Sequence, residues 1–141
     1  MSRVTDSIRQ QVFERAKGQC EYCQTQQKLV VVMQVDHVVP LAAGGATDLD
    51  NLCLSCASCN NNKRDFQFGA DPETGQLSRL YYPRRQRWAS RFRWSDDGIH
   101  ILGLTATGRS TVVRLKMNGT AMVVSRAEWV AMGKHPPSQQ N

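Results

Sequence analysis

The sequence predicts a small α+β fold, in which a strand–strand–helix unit held by cysteines is followed by a basic β-hairpin and C-terminal helices. Three observations predict it. Cysteine pairs flank a β-branched run, short β-like runs surround a later Asp-Gly turn, and helical periodicity follows that turn. With 141 residues, 40% of them hydrophobic, the chain can form one compact folded unit. We expect residues 1–75 to hold the strand–strand–helix unit with an N-terminal helix, and residues 76–141 to form a basic extension packed on it.

Neither a membrane span nor a secretory signal is predicted. The longest apolar stretch, residues 29–33, is much shorter than the roughly 18–20 residues that cross a bilayer. The first ten residues contain no apolar run of the kind that a signal peptide needs. We therefore expect a cytoplasmic protein that does not associate with membranes.

Basic residues are concentrated in the second half of the chain. Residues 1–78 contain 7 Lys and Arg and 9 Asp and Glu, a balance of −2. Residues 79–141 contain 11 and 3, a balance of +8. Such a basic region favours a polyanionic partner, most often nucleic acid, through long-range attraction and counterion release.

The five cysteines form two groups. Cys20-Glu-Tyr-Cys23 is one Cys-x-x-Cys knuckle, and Cys53-Leu-Ser-Cys56-Ala-Ser-Cys59 contains two overlapping candidates for a second. Two knuckles supply the four thiolates that a closed, tetrahedral zinc site prefers, whereas disulfides are disfavoured in the cytosol. The alternatives are buried free cysteines or a redox pair, and ligand type alone does not distinguish zinc from iron.

Polar residues with metal-binding and catalytic chemistry lie between the knuckles. A β-branched run predicts a strand or tight hairpin over residues 29–40, with Asp36 and His37 near its end. Gly44 and Gly45 then allow a turn with positive φ. Since neighbours in a regular strand point to opposite faces, Asp36 and His37 share a site only if the strand ends or is distorted there.

Residues 56–64 predict a helix that begins at the second knuckle and carries Asn60 in its first turns, beside the end of the first strand. In this order the motifs resemble those of the HNH endonucleases. They are Cys20-Glu-Tyr-Cys23, Asp36-His37-Val-Val-Pro40, Gly44-Gly45, Asn51-Leu52 and Cys56-Ala-Ser-Cys59-Asn60-Asn-Asn-Lys63. The resemblance implies the ββα-metal fold, with Cys20, Cys23, Cys56 and Cys59 as zinc ligands and Cys53 left over.

The same resemblance implies a role for each of four catalytic residues. Asp36 and Asn60 would hold one divalent cation, Mg²⁺ or Mn²⁺, while His37 acts as general base and Asn51 braces the loop that orients His37. Asn60 departs from the common His, which gives a His-Asn-Asn pattern, but both side chains offer a neutral coordinating atom. Imidazole can activate water near neutral pH, and one carboxylate with one amide suits magnesium.

An arginine-rich segment, residues 77–94, has six arginines, interleaved aromatics and no acidic residue. Arginines pair with phosphates and aromatics can stack on bases, although the same pattern also fits solvated arginines around an aromatic core. We expect a core role for most of the aromatics Tyr81, Trp88, Phe92 and Trp94. The candidates for nucleic-acid contact are Lys63, Arg64, Arg84, Arg85, Arg87 and Arg91.

The remaining chain predicts a hairpin around Asp96-Asp97-Gly98, helices over residues 107–119 and 125–132, and a short frayed tail. We therefore expect no catalytic role for His135. The segment also looks like the basic extension of compact bacterial HNH proteins, so the resemblance spans nearly the whole chain.

The predicted function is hydrolysis of DNA phosphodiester bonds by a metal-dependent endonuclease. One alternative is a zinc-stabilised nucleic-acid-binding module without catalysis, which would not need Asp36, His37 and Asn60 together. Another is a redox protein in which Cys53 exchanges with a zinc cysteine. Charge and motifs do not separate DNA from RNA, but the resemblance favours DNA. Both a monomer and a homodimer are compatible with the sequence.

Overall fold

The computed structural model describes residues 3–29 and 32–138, so residues 30 and 31 of the predicted strand lie outside the described residues. Contacts divide the chain into two compact units. Unit 1 comprises Met1–Gln67 and Tyr82–Arg85, and unit 2 comprises Phe68–Tyr81 and Gln86–Asn141. The division at residue 75 stays a prediction; by contacts, residues 68–75 group with unit 2 and residues 82–85 with unit 1.

Unit 1 begins with helix α1, Asp6–Arg15, which packs on the following strands. Val12 is fully buried in a small core with Leu52 and Leu54. At the end of the helix, Arg15 donates hydrogen bonds to the carbonyls of Leu49, at 2.8 Å, and Leu52, at 2.6 Å. The helix is therefore attached both to the core and to the chain that leads into the second strand.

The predicted strand–strand–helix order is confirmed. Strand β1, Met33–His37, pairs antiparallel with β2, Leu52–Cys56, and helix α2, Ala57–Lys63, follows β2 directly. Every residue of β2 is buried, which suits a strand covered on both faces. His37 is the last residue of β1, so the strand ends where the shared site requires it to end.

The loop between β1 and β2 includes two short 3-10 helices, Leu41–Ala43 and Leu49–Asn51. Gly44 adopts a left-handed conformation with φ of 89°. Gly45 is needed for a different reason, because a Cβ there would lie 1.9 Å from the carbonyl oxygen of Val39. The two glycines therefore allow the loop to fold tightly against itself.

Unit 2 contains two antiparallel hairpins and three helices in the described part of the chain. The predicted hairpin around Asp97-Gly98 is confirmed, whereas the first hairpin was not predicted. The elements are β3 Phe68–Ala70, β4 Leu77–Arg79, α3 Trp88–Arg91, β5 Phe92–Trp94, β6 Ile101–Gly103, α4 Ala106–Arg114 and α5 Thr120–Ala131. None of the helices over residues 3–29 and 32–138 has the length and hydropathy that crossing a bilayer requires.

The boundaries of the last two helices differ from the predicted ones. Helix α4 ends at Arg114 instead of residue 119, because Lys116 takes a positive φ of 51° that a helix does not accommodate. Asn118 then pairs through its side chain with the backbone of Ile101, donating at 2.9 Å and accepting at 2.9 Å. Helix α5 begins at Thr120, directly after Gly119, instead of at residue 125.

Residues 139–141 of the predicted frayed tail lie outside the described residues, and His135, directly before the tail, is only 6% exposed. Its ring packs edge-on against Trp94 at 4.5 Å and contacts Trp129 at 6.0 Å between ring centroids. Aromatic edges and faces attract each other, and these contacts anchor the chain after α5. His135 thus belongs to the core of unit 2.

The expected aromatic core is confirmed. Tyr81, Trp88 and Phe92 are buried, and the rings of Tyr81 and Trp88 lie 5.2 Å and 5.1 Å from that of Phe92. Arg126 is also fully buried, and it donates hydrogen bonds to backbone carbonyls of Ile99 and Met117. The aromatics of the arginine-rich segment are therefore mainly structural.

Candidate functional site

Four buried cysteines from the two knuckles converge in unit 1. The Sγ atoms of Cys20, Cys23, Cys56 and Cys59 all lie within 4.8 Å of one another. The Cys23 and Cys56 sulfurs are 3.7 Å apart. Tetrahedral zinc with Zn–S bonds of about 2.3 Å requires sulfurs about 3.8 Å apart, so the cluster fits a structural zinc ion.

Backbone and side-chain contacts prepare these sulfurs for a cation. The backbone N–H of Cys23 donates to the Cys20 sulfur at 3.5 Å, and that of Cys59 donates to the Cys56 sulfur at 3.5 Å. Thr25 places its hydroxyl 3.1 Å from the Cys23 sulfur. Hydrogen bonds from Cys20 and the other two thiols hold the pKa of Cys23 well below its usual range, which favours a thiolate ligand.

Cys53 stands apart from this cluster. It is fully buried in β2, directly across from Asp36 in the β1–β2 register. Burial raises the pKa of its thiol to about 12. Since the thiolate is the reactive form, this environment argues against the alternative in which Cys53 exchanges with a zinc cysteine.

Asp36 presents a buried carboxylate oxygen to the space between β1 and α2. Its side chain is 16% exposed, and Oδ2 accepts no hydrogen bond from the described residues. Burial raises the pKa of this carboxyl group, although the charges of Lys63 and His37 act in the opposite direction. An unsatisfied buried carboxylate is costly, and a bound cation would relieve that cost.

Lys63 lies inside the site, which corrects its predicted position at a nucleic-acid surface. The residue is only 1% exposed. Its Nζ donates to the carbonyl of Val38 at 3.2 Å and lies 3.9 Å from Oδ2 of Asp36. The lysine stem crosses the interior of unit 1, so its charge is available to Asp36 and not to an external phosphate.

Asn60, on helix α2, contacts Gln34 on strand β1, the strand that also carries Asp36. Its Nδ2 donates to Oε1 of Gln34 at 2.5 Å. Gln34 and Asp36 are two residues apart in β1 and therefore share a face of the strand. Helix α2 thus places Asn60 against Gln34 and Lys63 against Asp36, and the structure brings Asp36 and Asn60 to the same packed face.

His37 is held through one of its two ring nitrogens. Nε2 lies 2.8 Å from the hydroxyl of Thr47, in the loop between β1 and β2. Within the described parts of the chain, Nδ1 makes no hydrogen bond. The arrangement fixes the ring while leaving one nitrogen able to accept a proton.

Asn51 ties that loop together. The residue is buried, and its Oδ1 accepts from the backbone N–H of Val39 at 2.8 Å. Its Nδ2 donates to the carbonyls of Val39 and Ala46, each at 2.9 Å. Ala46 directly precedes Thr47, so the Asn51 amide fixes the loop next to the hydroxyl that contacts His37.

The arginines predicted to contact nucleic acid differ in exposure. Arg84 forms an ion pair with Glu21, and its side chain is only 14% exposed. Burial lowers the pKa of Arg84 to about 10. This position corrects the prediction for Arg84, because its guanidinium is already committed to a carboxylate inside unit 1.

The other candidates are more accessible. In unit 1, Arg64 and Arg85 are exposed, and the Arg85 guanidinium lies 4.7 Å from the centre of the Tyr82 ring. In unit 2, Arg87 is exposed and Arg91 is half-buried. These four side chains remain candidates for phosphate contacts.

Two residues of the site were not predicted from the sequence. Gln34 could have been inferred from the sequence, because it precedes Asp36 by two residues in a predicted strand and must lie on the same face of that strand. Thr47 had no comparable signal, because a loop has no periodicity from which to infer the direction of a side chain.

Residues 20–66, about a third of the chain, match a family model described as HNH endonuclease. Comparisons with curated proteins and with solved structures give no match for the chain. The matched segment contains both knuckles, Asp36, His37, Asn51 and Asn60. The match agrees with the resemblance of the motifs: residues 20–66 match the HNH endonuclease model, and the four cysteines within them could hold a metal ion.

Proposed function

We propose that the protein is a DNA endonuclease that hydrolyses phosphodiester bonds with a divalent cation held by Asp36 and Asn60. The observation that carries the proposal is the buried Oδ2 of Asp36, which accepts no hydrogen bond from the described residues. A carboxylate in this condition fits a cation site better than a purely structural role. The cation is Mg²⁺ or Mn²⁺, since a carboxylate and an amide are oxygen ligands suited to hard cations.

His37 is the general base in this proposal. Its unbonded Nδ1 accepts the proton of the water that attacks the phosphate, while Nε2 keeps its contact with Thr47. A cation held by Asp36 and Asn60 would stabilise the charge that develops on the phosphate and the leaving oxygen. Asn51 is a positioning residue, because its hydrogen bonds to Val39 and Ala46 hold the loop on which Thr47 lies.

Accessible arginines, three exposed and one half-buried, supply the proposed contacts with DNA. Arg64, Arg85, Arg87 and Arg91 remain from the candidate set once Lys63 and Arg84 are removed by their buried contacts. Arginine binds phosphate oxygens through its planar fork, without reading sequence. Binding of this type releases counterions, so we expect its affinity to fall steeply with salt.

A nucleic-acid-binding module without catalysis is the second candidate. It accounts for the cysteine cluster and the exposed arginines equally well. It gives no reason for a buried carboxylate, a fixed imidazole and an amide to share one small region of unit 1. The catalytic proposal is therefore preferred, and the two differ in a direct assay.

The experiment is nicking of supercoiled plasmid at low salt by the zinc-loaded protein with Mg²⁺ or Mn²⁺. His37→Ala should reduce the rate by about 10²–10⁴-fold, the usual contribution of a general base, while DNA binding is retained. His100→Ala is the matched control, because His100 is an exposed histidine of unit 2.

Metal-dependent nicking that His37→Ala abolishes and His100→Ala preserves would establish the catalytic role. Plasmid binding without nicking by the wild-type protein under these conditions would favour the binding module instead. Equal nicking by wild type and His37→Ala would exclude His37 as the base.

A further inference from the structure

We propose that Gln34 is a positioning residue for the divalent-cation site, because it fixes which end of the Asn60 amide faces the cation. The inference rests on the proposed function and assigns a residue to the support of the same site. It starts from the hydrogen bond that Nδ2 of Asn60 donates to Oε1 of Gln34 at 2.5 Å. Oδ1 of Asn60 makes no hydrogen bond to any described residue.

An asparagine ligand has a problem of orientation that a carboxylate does not have. Only the amide oxygen can coordinate a cation, whereas the two N–H groups on the other end would repel it. A rotation of the amide by a half-turn exchanges the two ends with little change of shape. Asn60 therefore needs a neighbour that accepts a hydrogen bond from Nδ2 and keeps the oxygen directed elsewhere.

Gln34 lies where such a neighbour is needed. It is on the face of β1 that also carries Asp36, and α2 packs Asn60 and Lys63 against this face. Both Gln34 and Asn60 are half-buried, so competition from solvent water is reduced. Residues that orient metal ligands from behind commonly change metal affinity by 10–100-fold when they are replaced.

The test measures Mn²⁺ binding directly, by titrating Mn²⁺ into the zinc-loaded protein and following free Mn²⁺ by electron paramagnetic resonance. Gln34→Met keeps the length of the side chain but removes the acceptor oxygen, and we expect it to weaken binding about tenfold. Gln34→Glu keeps an acceptor oxygen and should bind at least as tightly as wild type. Gln11→Met, on the exposed face of α1, should change nothing.

Repeating the Gln34→Met substitution in an Asn60→Asp protein separates an effect on the orientation of the Asn60 amide from an effect on packing. In Asn60→Asp both ends of the side chain are oxygens, so the ligand no longer depends on its orientation. Gln34→Met should therefore change Mn²⁺ affinity by less than about twofold in the Asn60→Asp protein, although it costs about tenfold in the Asn60 protein. Zinc content and melting temperature, measured on every variant, report the fold.

The outcomes distinguish the inference from the function on which it rests. Wild-type Mn²⁺ affinity in Gln34→Met, or an equal loss in the Asn60 and Asn60→Asp backgrounds, would overturn the role of Gln34 while leaving the cation site in place. Mn²⁺ binding that survives Asp36→Ala unchanged, or its absence from the wild-type protein, would overturn the cation site and the inference together.

Discussion

Lys63 brings a positive charge into the interior of unit 1, where it lies 3.9 Å from a carboxylate with no hydrogen-bond donor to Oδ2. At this distance the ammonium offsets part of the cost of burying Asp36, but it does not replace a hydrogen bond. Lys63 thus balances part of the charge of Asp36 but leaves Oδ2 without a hydrogen bond.

We predict that Lys63→Met destabilises the protein by about 3 kcal/mol, because it leaves the Asp36 carboxylate buried without a counter-charge. Thermal unfolding at neutral pH measures this effect, with Lys28→Met on an exposed turn as the control. Addition of Mn²⁺ should restore more of the melting temperature in Lys63→Met than it adds to wild type. An unchanged melting temperature in Lys63→Met would show that its charge is not needed by Asp36.

Among the structural elements, the loop between β1 and β2 determines how His37 is held. Its tightest point is Gly45, where a Cβ would lie 1.9 Å from the Val39 oxygen and 2.7 Å from Nδ2 of Asn51. Both atoms belong to the hydrogen bonds that Asn51 makes with the loop. A side chain at residue 45 therefore cannot fit without breaking the brace.

Gly45→Ala should cost about 2 kcal/mol in stability, since a small-to-large change here forces backbone to move. It should also lower the nicking rate while the zinc content stays at one ion per chain. Gly44→Asn is the matched control, because no atom lies within 4 Å of a Cβ at residue 44 and asparagine tolerates positive φ. Denaturant unfolding and plasmid nicking of the two variants provide the comparison, and equal behaviour would contradict the brace.

Elements with a strong local signal were predicted from the sequence, and elements without one were not. The second knuckle begins α2, and Asp97-Gly98 marks the β5–β6 turn, since both signals are contained within a few residues. Strands β3 and β4 have only three residues each, too few to show alternation. The turn between them is closed by contacts that only the structure shows, since the Asp71 carboxylate accepts hydrogen bonds from the Glu73 backbone N–H and the Thr74 hydroxyl.

At the scale of the whole molecule, the two units rely on different chemistry for stability. Unit 1 is built around the cysteine cluster, whereas unit 2 contains a two-point ion pair between Asp71 and Arg109, with both contacts at 2.9 Å. The Arg109 guanidinium holds the pKa of Asp71 well below its usual range. The folded state therefore binds a proton at Asp71 less readily than the unfolded state.

The lowered pKa of Asp71 predicts how the stability of unit 2 changes at acidic pH. The stabilisation from Asp71 is complete above its unfolded pKa of about 4 and is lost as the pH falls further, towards the folded value. Asp71→Asn should therefore lower the free energy of unfolding at pH 7 and make unit 2 less sensitive to pH below about 4.

Tryptophan fluorescence can follow this loss, because all three tryptophans, Trp88, Trp94 and Trp129, lie in unit 2. Denaturant unfolding at pH 7 and at pH 3.5 gives the two free energies. Asp96→Asn, at an exposed position of the β5–β6 turn, serves as the control. An acid dependence identical in wild type and Asp71→Asn would contradict the role of the ion pair.

The candidate site was predicted where its residues stand in motifs that resemble those of the HNH endonucleases. Cys23, Asp36 and Asn60 stand in such motifs, and the resemblance implies their roles. The burial of Lys63 and the pairing of Arg84 with Glu21 were missed, because they depend on contacts between residues distant in sequence. Counting Lys and Arg residues shows that the chain is basic. Only the packing shows which of these side chains are paired inside the fold and which stay accessible to a partner.

Because Cys53 is buried apart from the four clustered cysteines, its reactivity can report the local opening of unit 1. Its thiol is buried and has a pKa of about 12, while the other four cysteines converge on the proposed zinc ion. A thiol-alkylating reagent should therefore leave the folded, zinc-loaded protein untouched. Alkylation at Cys53 alone would record the opening of strand β2, and alkylation at all five would record loss of the metal, so mass spectrometry of a single sample can time the two events separately.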